Sequence, residues 1–306
     1  FLQRFEAAAR DGFEAVEYLF PYEHPAHEIA ARLRGNGLQQ VLFNTPPGGL
    51  VAASCQQAWA AGDRGTACVP GREAEFRAGL QAALAYAEVL DCPRVHCMVG
   101  LRASSTPADL AEQTLVQNLV WASTQAEAAG RDILIEPINP RSVPGFFLNR
   151  QDHAHAVVQR VREQTGLQRL KVQMDLFHCQ IVEGDLSHKL QTWLPSGQVG
   201  HLQIAEVPAR HEPGTGELNW PHLFALIDRL SQGPQAWSGW VGCEYNPADP
   251  SPGGTQRGLQ WLRDWRAQAA ACGVIAAAKG ASGQVACHAA SRSRMSPGGG
   301  AEKGWR

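Results

Sequence analysis

Apolar positions along the chain switch repeatedly between two periods. Short alternating or continuous apolar runs, the signature of strands, occur at Phe13 to Phe20, Leu38 to Asn44, Arg94 to Gly100, Asp132 to Asn139, Leu170 to Phe177, Val199 to Val207 and Trp240 to Tyr245. Between them lie stretches with helical spacing. Glu73 to Leu90 carries Phe76, Leu80, Leu84 and Ala87 on one stripe, and Gln151 to Gln164 carries Ala154, Val157, Val158 and Val161. Pro107 to Ala129 runs as a long helix until Gly130 stops it. Shorter helices are predicted at His24 to Asn36, Ser187 to Trp193, Trp220 to Leu230 and Thr255 to Gln268. Strand–helix alternation at this spacing means βα units and a parallel sheet. Seven units without a break in composition predict an α/β chain of the TIM (β/α)8 type rather than an open sheet. No glycine-rich phosphate fingerprint follows any strand, which argues against a doubly wound nucleotide fold.

Three stretches depart from that pattern. The chain opens on a helical segment with Leu2, Phe5 and Ala9 on one face and Gly12 as a stop, so the barrel's first strand is expected to be missing. The strands at Phe13 and Trp240 would then be open edges, which invite aggregation. Poor solubility or weak activity would follow, relieved by adding upstream residues. Leu50 to Pro70 is rich in Ala, Gly and Cys without clear period and is read as a loop. From Ala270 the chain turns to Ala, Gly and Ser with a Pro-Gly-Gly-Gly run. The domain reading is therefore a barrel over 1–269 and a low-complexity, disordered tail over 270–306.

Composition narrows the function. The chain has 306 residues, 44% of them hydrophobic, and a formal net charge of −2. That length supports one large core, and that charge gives no support to nucleic-acid or membrane-surface binding. No apolar run approaches the ~18 residues of a membrane span. Eight cysteines stand singly without a C-x-x-C pair, which predicts a reducing, cytoplasmic setting. Cys97, Cys179 and Cys243 read as small buried hydrophobes.

Four strand tips carry a side chain able to ligate a metal: Glu136 in I-E-P, Asp175 in Q-M-D-L-F-H, Gln203 in H-L-Q-I-A and Glu244 in G-C-E-Y-N-P. Glu is depleted in strands and rarely buried without a partner, and Pro137 ends its strand at the next residue. Each residue alone also reads as a salt-bridged carboxylate or a capping amide. Together, on successive βα units, they converge at the C-terminal face of a barrel. Oxygen donors of this kind suit Mg²⁺ or Mn²⁺ better than softer metals.

The segments G-F-E-A-V-E, F-N-T-P-P-G, R-V-H-C-M-V-G, E-P-I-N-P-R-S-V-P-G-F-F-L-N, Q-M-D-L-F-H, P-G-T-G-E-L-N-W and G-C-E-Y-N-P resemble the hydroxypyruvate isomerase family of xylose isomerase-like barrels, over roughly Phe1 to Arg266. The resemblance implies a divalent metal, Mg²⁺ or Mn²⁺, on Glu136, Asp175, Gln203 and Glu244. It implies catalytic carboxylates at Glu136 and Glu244, and substrate contacts from His178 and Arg210. Related sugar epimerases have His where Gln203 stands. The implied reaction interconverts hydroxypyruvate and 2-hydroxy-3-oxopropanoate (tartronate semialdehyde) through an enediolate stabilised by the cation. The implied partner is a small-molecule substrate, with a homo-oligomer left open.

His178 also reads as a capped loop histidine and Arg210 as a solvated loop cation. Glu17, Asn44, His96 and Glu206 lie near strand tips without an assigned role, and Glu206 would add charge near the metal. Three rival readings remain. One is another metal-dependent sugar or keto-acid isomerase or epimerase, and one is an inactive variant of the same fold. The third, a metal-dependent DNA-repair nuclease, would need a His-rich cluster and a basic groove.

Overall fold

The run D-I-L-I forms a strand because three successive apolar side chains find partners on both faces of the sheet, and the strand stops short of Pro137, which has no N–H to give. The same logic recurs around the molecule. The computed structural model describes residues 1–49, 52–271 and 285–288. Its strands are β1 (Ala15–Tyr18), β2 (Gln39–Asn44), β3 (Arg94–His96), β4 (Asp132–Ile135), β5 (Leu170–Asp175), β6 (Val199–Ile204), β7 (Val241–Cys243) and β8 (Val285–His288). They close into one parallel barrel in chain order. The helices are α1 (Arg4–Arg10), α2 (Ala26–Gly35), α3 (Ala52–Ala60), α4 (Glu73–Leu90), α5 (Ala108–Ala129), α6 (Gln151–Thr165), α7 (Leu176–Val182), α8 (Leu186–Trp193), α9 (Trp220–Leu230), α10 (Gly254–Gly258) and α11 (Gln260–Ala271).

The predicted stripes of α4 and α6 are buried throughout. Gly130 (φ +63°) and Gly166 (φ +71°) end α5 and α6 in the left-handed conformation that glycine takes at least cost. Cys97, Cys179 and Cys243 are buried, as the apolar strands around them required. No described helix is long and apolar enough to cross a membrane.

Two expectations are corrected. The stretch read as a loop contains α3. Ala and Gln favour helix by propensity alone, so α3 forms without the apolar stripe that would have revealed it. The following turn is clamped by Arg72, whose guanidinium meets Asp63 at 2.8 Å and Glu75 at 2.7 Å. The second correction concerns closure. The strands expected to be open edges are both paired: β8 lies between β7 and β1, with Val285 opposite Val241 and Ala286 opposite Ala15. Four residues in a glycine- and serine-rich context are too few for a period to show. The rest of the expected tail falls on 272–284 and 289–306, outside the described residues.

If Val285–His288 closes the sheet, a chain ending after Ala271 exposes the backbone edges of β1 and β7. It should elute as larger species in size-exclusion chromatography and melt at lower temperature with reduced cooperativity. A monodisperse shortened chain with an unchanged melting temperature would overturn this closure.

Candidate active site

The expected residues stand at or next to the C-terminal ends of four successive strands, β4 to β7. Asp175, the last residue of β5, pairs with Gln203 of β6. Gln203 in turn pairs with Gly242 of β7. Glu136 and Glu244 each follow directly after the end of their strand, β4 and β7. A cavity of about 290 Å³ opens at this end, lined among others by Glu136, His178, Gln203, Arg210 and Glu244. Asp175 lies fully buried beside it.

Asp175 does two jobs. Its Oδ1 caps α7 by accepting from the Phe177 N–H at 2.7 Å. That bond fixes the carboxylate and leaves Oδ2 at 3.5 Å from both Arg210 Nη2 and His178 Nε2. Arg210 Nη2 also reaches Glu244 Oε1 at 3.0 Å. Glu136 places Oε1 at 3.9 Å from His178 Nε2 and Oε2 at 3.9 Å from His96 Nδ1. His178 itself is on the first turn of α7, so the cap that orients Asp175 also aims the imidazole.

Arg210 stands at φ +57°, a left-handed conformation unfavourable for a bulky residue. Glu206 holds the loop that imposes it. Glu206 accepts from the N–H groups of Val207 (3.1 Å), Gly214 (2.9 Å) and Leu218 (3.0 Å) and from Trp220 Nε1 (2.8 Å). Its carboxylate is thus held by loop donors, and this anchoring of the loop is the role the structure gives it.

Burial and crowding shift the titratable groups strongly. Burial, then Glu244 and Asp175, push the Glu136 carboxyl well above the usual range. Burial raises Asp175 to about 7, against the opposing pull of Arg210. Burial lowers His96 to about 3. Burial, then Arg210, lower His178 well below its ordinary value. Both imidazoles are therefore neutral at physiological pH.

Glu17 lies deeper in the barrel. It accepts from Gln203 Nε2 at 2.7 Å and meets His201 Nε2 at 2.5 Å. Gln203 Oε1 accepts from Gln173 Nε2 at 2.5 Å. Gly242 makes the space: a Cβ there would sit 2.3 Å from a Glu17 oxygen. His96 and Asn44 line the cavity as neutral polar walls.

Glu136, Asp175 and His178 form a buried group that could hold a metal ion. Glu136 Oε1 and Asp175 Oδ2 are buried without a hydrogen-bond partner. Two such oxygens among mutually repelling carboxylates are the donors a hard divalent cation requires. The residues therefore fit the expected ion. Of the other two expected ligands, Gln203 is tied to Glu17 and Gln173, and Glu244 to Arg210.

Sequence reasoning passed over several residues of the site. Trp59 and Arg64 line the cavity from the segment read as a loop. Arg64 stacks over the Trp59 ring at 3.8 Å; a Trp and an Arg in an otherwise Ala- and Gly-rich stretch were the available signal. Gln173 and His201, interior polar residues two positions before Asp175 and Gln203, could have been found by strand periodicity.

A family model described as xylose isomerase-like TIM barrel matches residues 5–265. The chain belongs to this family. It is 49% identical over 265 residues to the 2-oxo-tetronate isomerase of Cupriavidus necator, covering 87% of this chain and 93% of that one. It is 40% identical over 266 residues to the hydroxypyruvate isomerase of Escherichia coli, with coverage of 87% and 94%. A crystal structure titled AP endonuclease, family 2, from Brucella melitensis matches with a TM-score of 0.76 at 41% identity, covering 86% of this chain and 92% of that one. This family kinship supports an isomerase of the hydroxypyruvate and 2-oxo-tetronate kind.

Metal uptake by carboxylates that hold protons must release them. With Asp175 raised to about 7 and Glu136 raised as well, Mn²⁺ affinity should climb as pH rises through about 7. Calorimetry at pH 6 in buffers of different ionisation enthalpy should register proton release, and much less at pH 8.5. Equal affinity and no proton release at pH 6 would contradict the assignment of these carboxyls to the metal.

Proposed function

We propose that the chain is a metal-dependent isomerase of short 2-oxo hydroxy acids, interconverting hydroxypyruvate and 2-hydroxy-3-oxopropanoate through an enediolate. The observation that carries this reading is the pair Glu136 and Glu244 on one small cavity, with buried carboxylate oxygens beside them. The ligand set is Glu136, Asp175, Gln203 and Glu244, holding Mg²⁺ or Mn²⁺. When bound there, the ion supplies Lewis-acid charge to the oxyanion that develops as the carbon acid ionises.

The remaining work falls to the chain's own side chains. One glutamate removes the proton from the hydroxyl-bearing carbon, and the other returns a proton to the former carbonyl carbon. The hydroxyl proton must also pass between the two neighbouring oxygens. His178, neutral and within 4 Å of Glu136 and Asp175, donates a hydrogen bond to one of those oxygens. Arg210 contacts the substrate and balances the negative charge of Asp175 and Glu244. Ile138, Val143 and Phe146 supply apolar lining, which limits water around the reacting carbons.

A second reading has a specific observation behind it: the 49% identity to a 2-oxo-tetronate isomerase. That substrate class keeps the carboxylate, ketone and adjacent hydroxyl and adds one hydroxymethyl group. The same residues would serve it without change of mechanism. A nuclease is disfavoured by the cavity of about 290 Å³, at the low end of small-molecule sites, and by the net charge of −2.

Purified chain with Mn²⁺ or Mg²⁺ should turn over one or both acids, and the ratio of kcat/KM decides between them; failure on both would end the reading. Asp175→Ala should abolish metal binding by calorimetry, and wild-type affinity there would refute the ligand set. Glu136→Gln and Glu244→Gln should each lower kcat by about 10²-fold or more, the ordinary scale for general acid–base groups. Exchange of substrate hydrogen in D₂O should persist in the variant that has lost only the acid. Near-normal turnover in both variants would eliminate the two-carboxylate mechanism.

A further inference from the structure

The stretch E-P-I-N places Asn139 three residues beyond Glu136, completely buried. Its amide orientation is fixed from one side. The Ser142 N–H donates to Asn139 Oδ1 at 2.7 Å, so the oxygen faces Ser142 and the NH₂ group faces the other way. That NH₂ group lies 2.6 Å from His178 Nδ1. The Asn139 backbone N–H points at the same nitrogen from 3.4 Å. A backbone N–H can only donate, and an amide nitrogen can only donate. Two donors converging on Nδ1 require a lone pair there. The hydrogen of the neutral ring must then sit on Nε2, the nitrogen that faces Asp175 Oδ2 at 3.5 Å and Glu136 Oε1 at 3.9 Å.

We infer that Asn139 is a positioning residue that locks His178 in its Nε2–H tautomer, making it a hydrogen-bond donor to a substrate oxygen and barring it from the metal. The inference deepens the isomerase reading and rests on it for the word substrate; the tautomer itself does not. It also separates two geometrically possible ligand sets. His178 lies close enough to Glu136 and Asp175 to complete a three-residue metal site, yet an Nε2 that carries hydrogen has no lone pair to offer. The oxygen ligands then act alone, and the imidazole stays available to steer the hydroxyl proton during isomerisation.

The test reads the tautomer directly. Full-length chain labelled with ¹⁵N-histidine is studied by long-range ¹H–¹⁵N correlation at pH 8, with the His178 signals assigned by their loss in His178→Gln. The expected pattern is a protonated Nε2 and an unprotonated Nδ1, unchanged by saturating Mg²⁺. A protonated Nδ1, or loss of the Nε2 hydrogen on adding Mg²⁺, overturns the inference, whatever the enzyme's activity. Asn139→Asp places an acceptor opposite Nδ1 and should reverse the pattern. It should lower kcat on the best substrate at least about tenfold with little change in KM, as expected when a proton-handling group is mis-set, while Mn²⁺ binding by calorimetry is retained. A reversed tautomer with unchanged kcat would show that His178 does no positioned work. If wild type turns over no 2-oxo acid yet shows the Nε2–H pattern, the substrate reading fails and the tautomer lock stands.

Discussion

Carboxylates at the mouth of this barrel repel one another, and the surrounding structure is arranged around that repulsion. Glu136, Asp175 and Glu244 sit at the C-terminal ends of β4, β5 and β7, and Glu17 of β1 lines the same cavity as Glu136 and Glu244. Removing them from water raises the cost of each negative charge, and each neighbour raises it further. The structure offsets this with the guanidinium of Arg210, which bridges Asp175 and Glu244. Glu17 is offset by donors from Gln203 and His201. Glu136 receives least: its nearest basic neighbours are two neutral imidazoles at 3.9 Å. The unmet demand for positive charge therefore concentrates at Glu136 Oε1 and Asp175 Oδ2, which with His178 form a group that could hold a metal ion.

Arg210 can bridge two carboxylates only because a whole loop is folded to hold it. Its backbone is left-handed, and Glu206 gathers four donors from Val207 to Trp220 to keep it so. Cation–π contact with the Phe177 ring, 5.0 Å away, ties the same guanidinium to α7, the helix capped by Asp175. Asp175, His178 and Arg210 are thus linked through one short helix. A disturbance at the Asp175 cap would reach all three.

Much of this was legible from residue pattern, and the exceptions have physical causes. Continuous apolar runs ending in an acidic or amide residue are unusual enough to locate Glu136, Asp175, Gln203 and Glu244 before any coordinates. The stripes of α4 and α6 follow from helical spacing alone. Ala52–Ala60 escaped because its helicity rests on propensity rather than on an apolar face. Val285–His288 escaped because four residues carry no period, and because pairing with β1 and β7 is a property of the closed sheet and not of the segment. The charge of Glu206 was visible, but its satisfaction by four loop donors depends on a fold of the chain that no local pattern encodes. Asn139 lies in the E-P-I-N stretch, yet its role depends on which way an amide turns, and the Ser142 N–H decides that.

The amide at position 203 shows how the charge constraint selects residue type. A carboxylate there would add another negative charge to an already repelling group and could not donate to Glu17. An amide donates from Nε2 and accepts at Oε1 at the same time, so Gln203 satisfies Glu17 and Gln173 together. It adds an oxygen to the site without adding charge. Gly242 completes the arrangement by leaving its side-chain volume to Glu17. Any larger residue at 242 would push the Glu17 carboxylate off Gln203, releasing the amide that links Glu17 to Gln173. Glycine on β7, a neutral amide on β6 and an acid on β1 are one device, and the spacing of the strands is what makes the three meet.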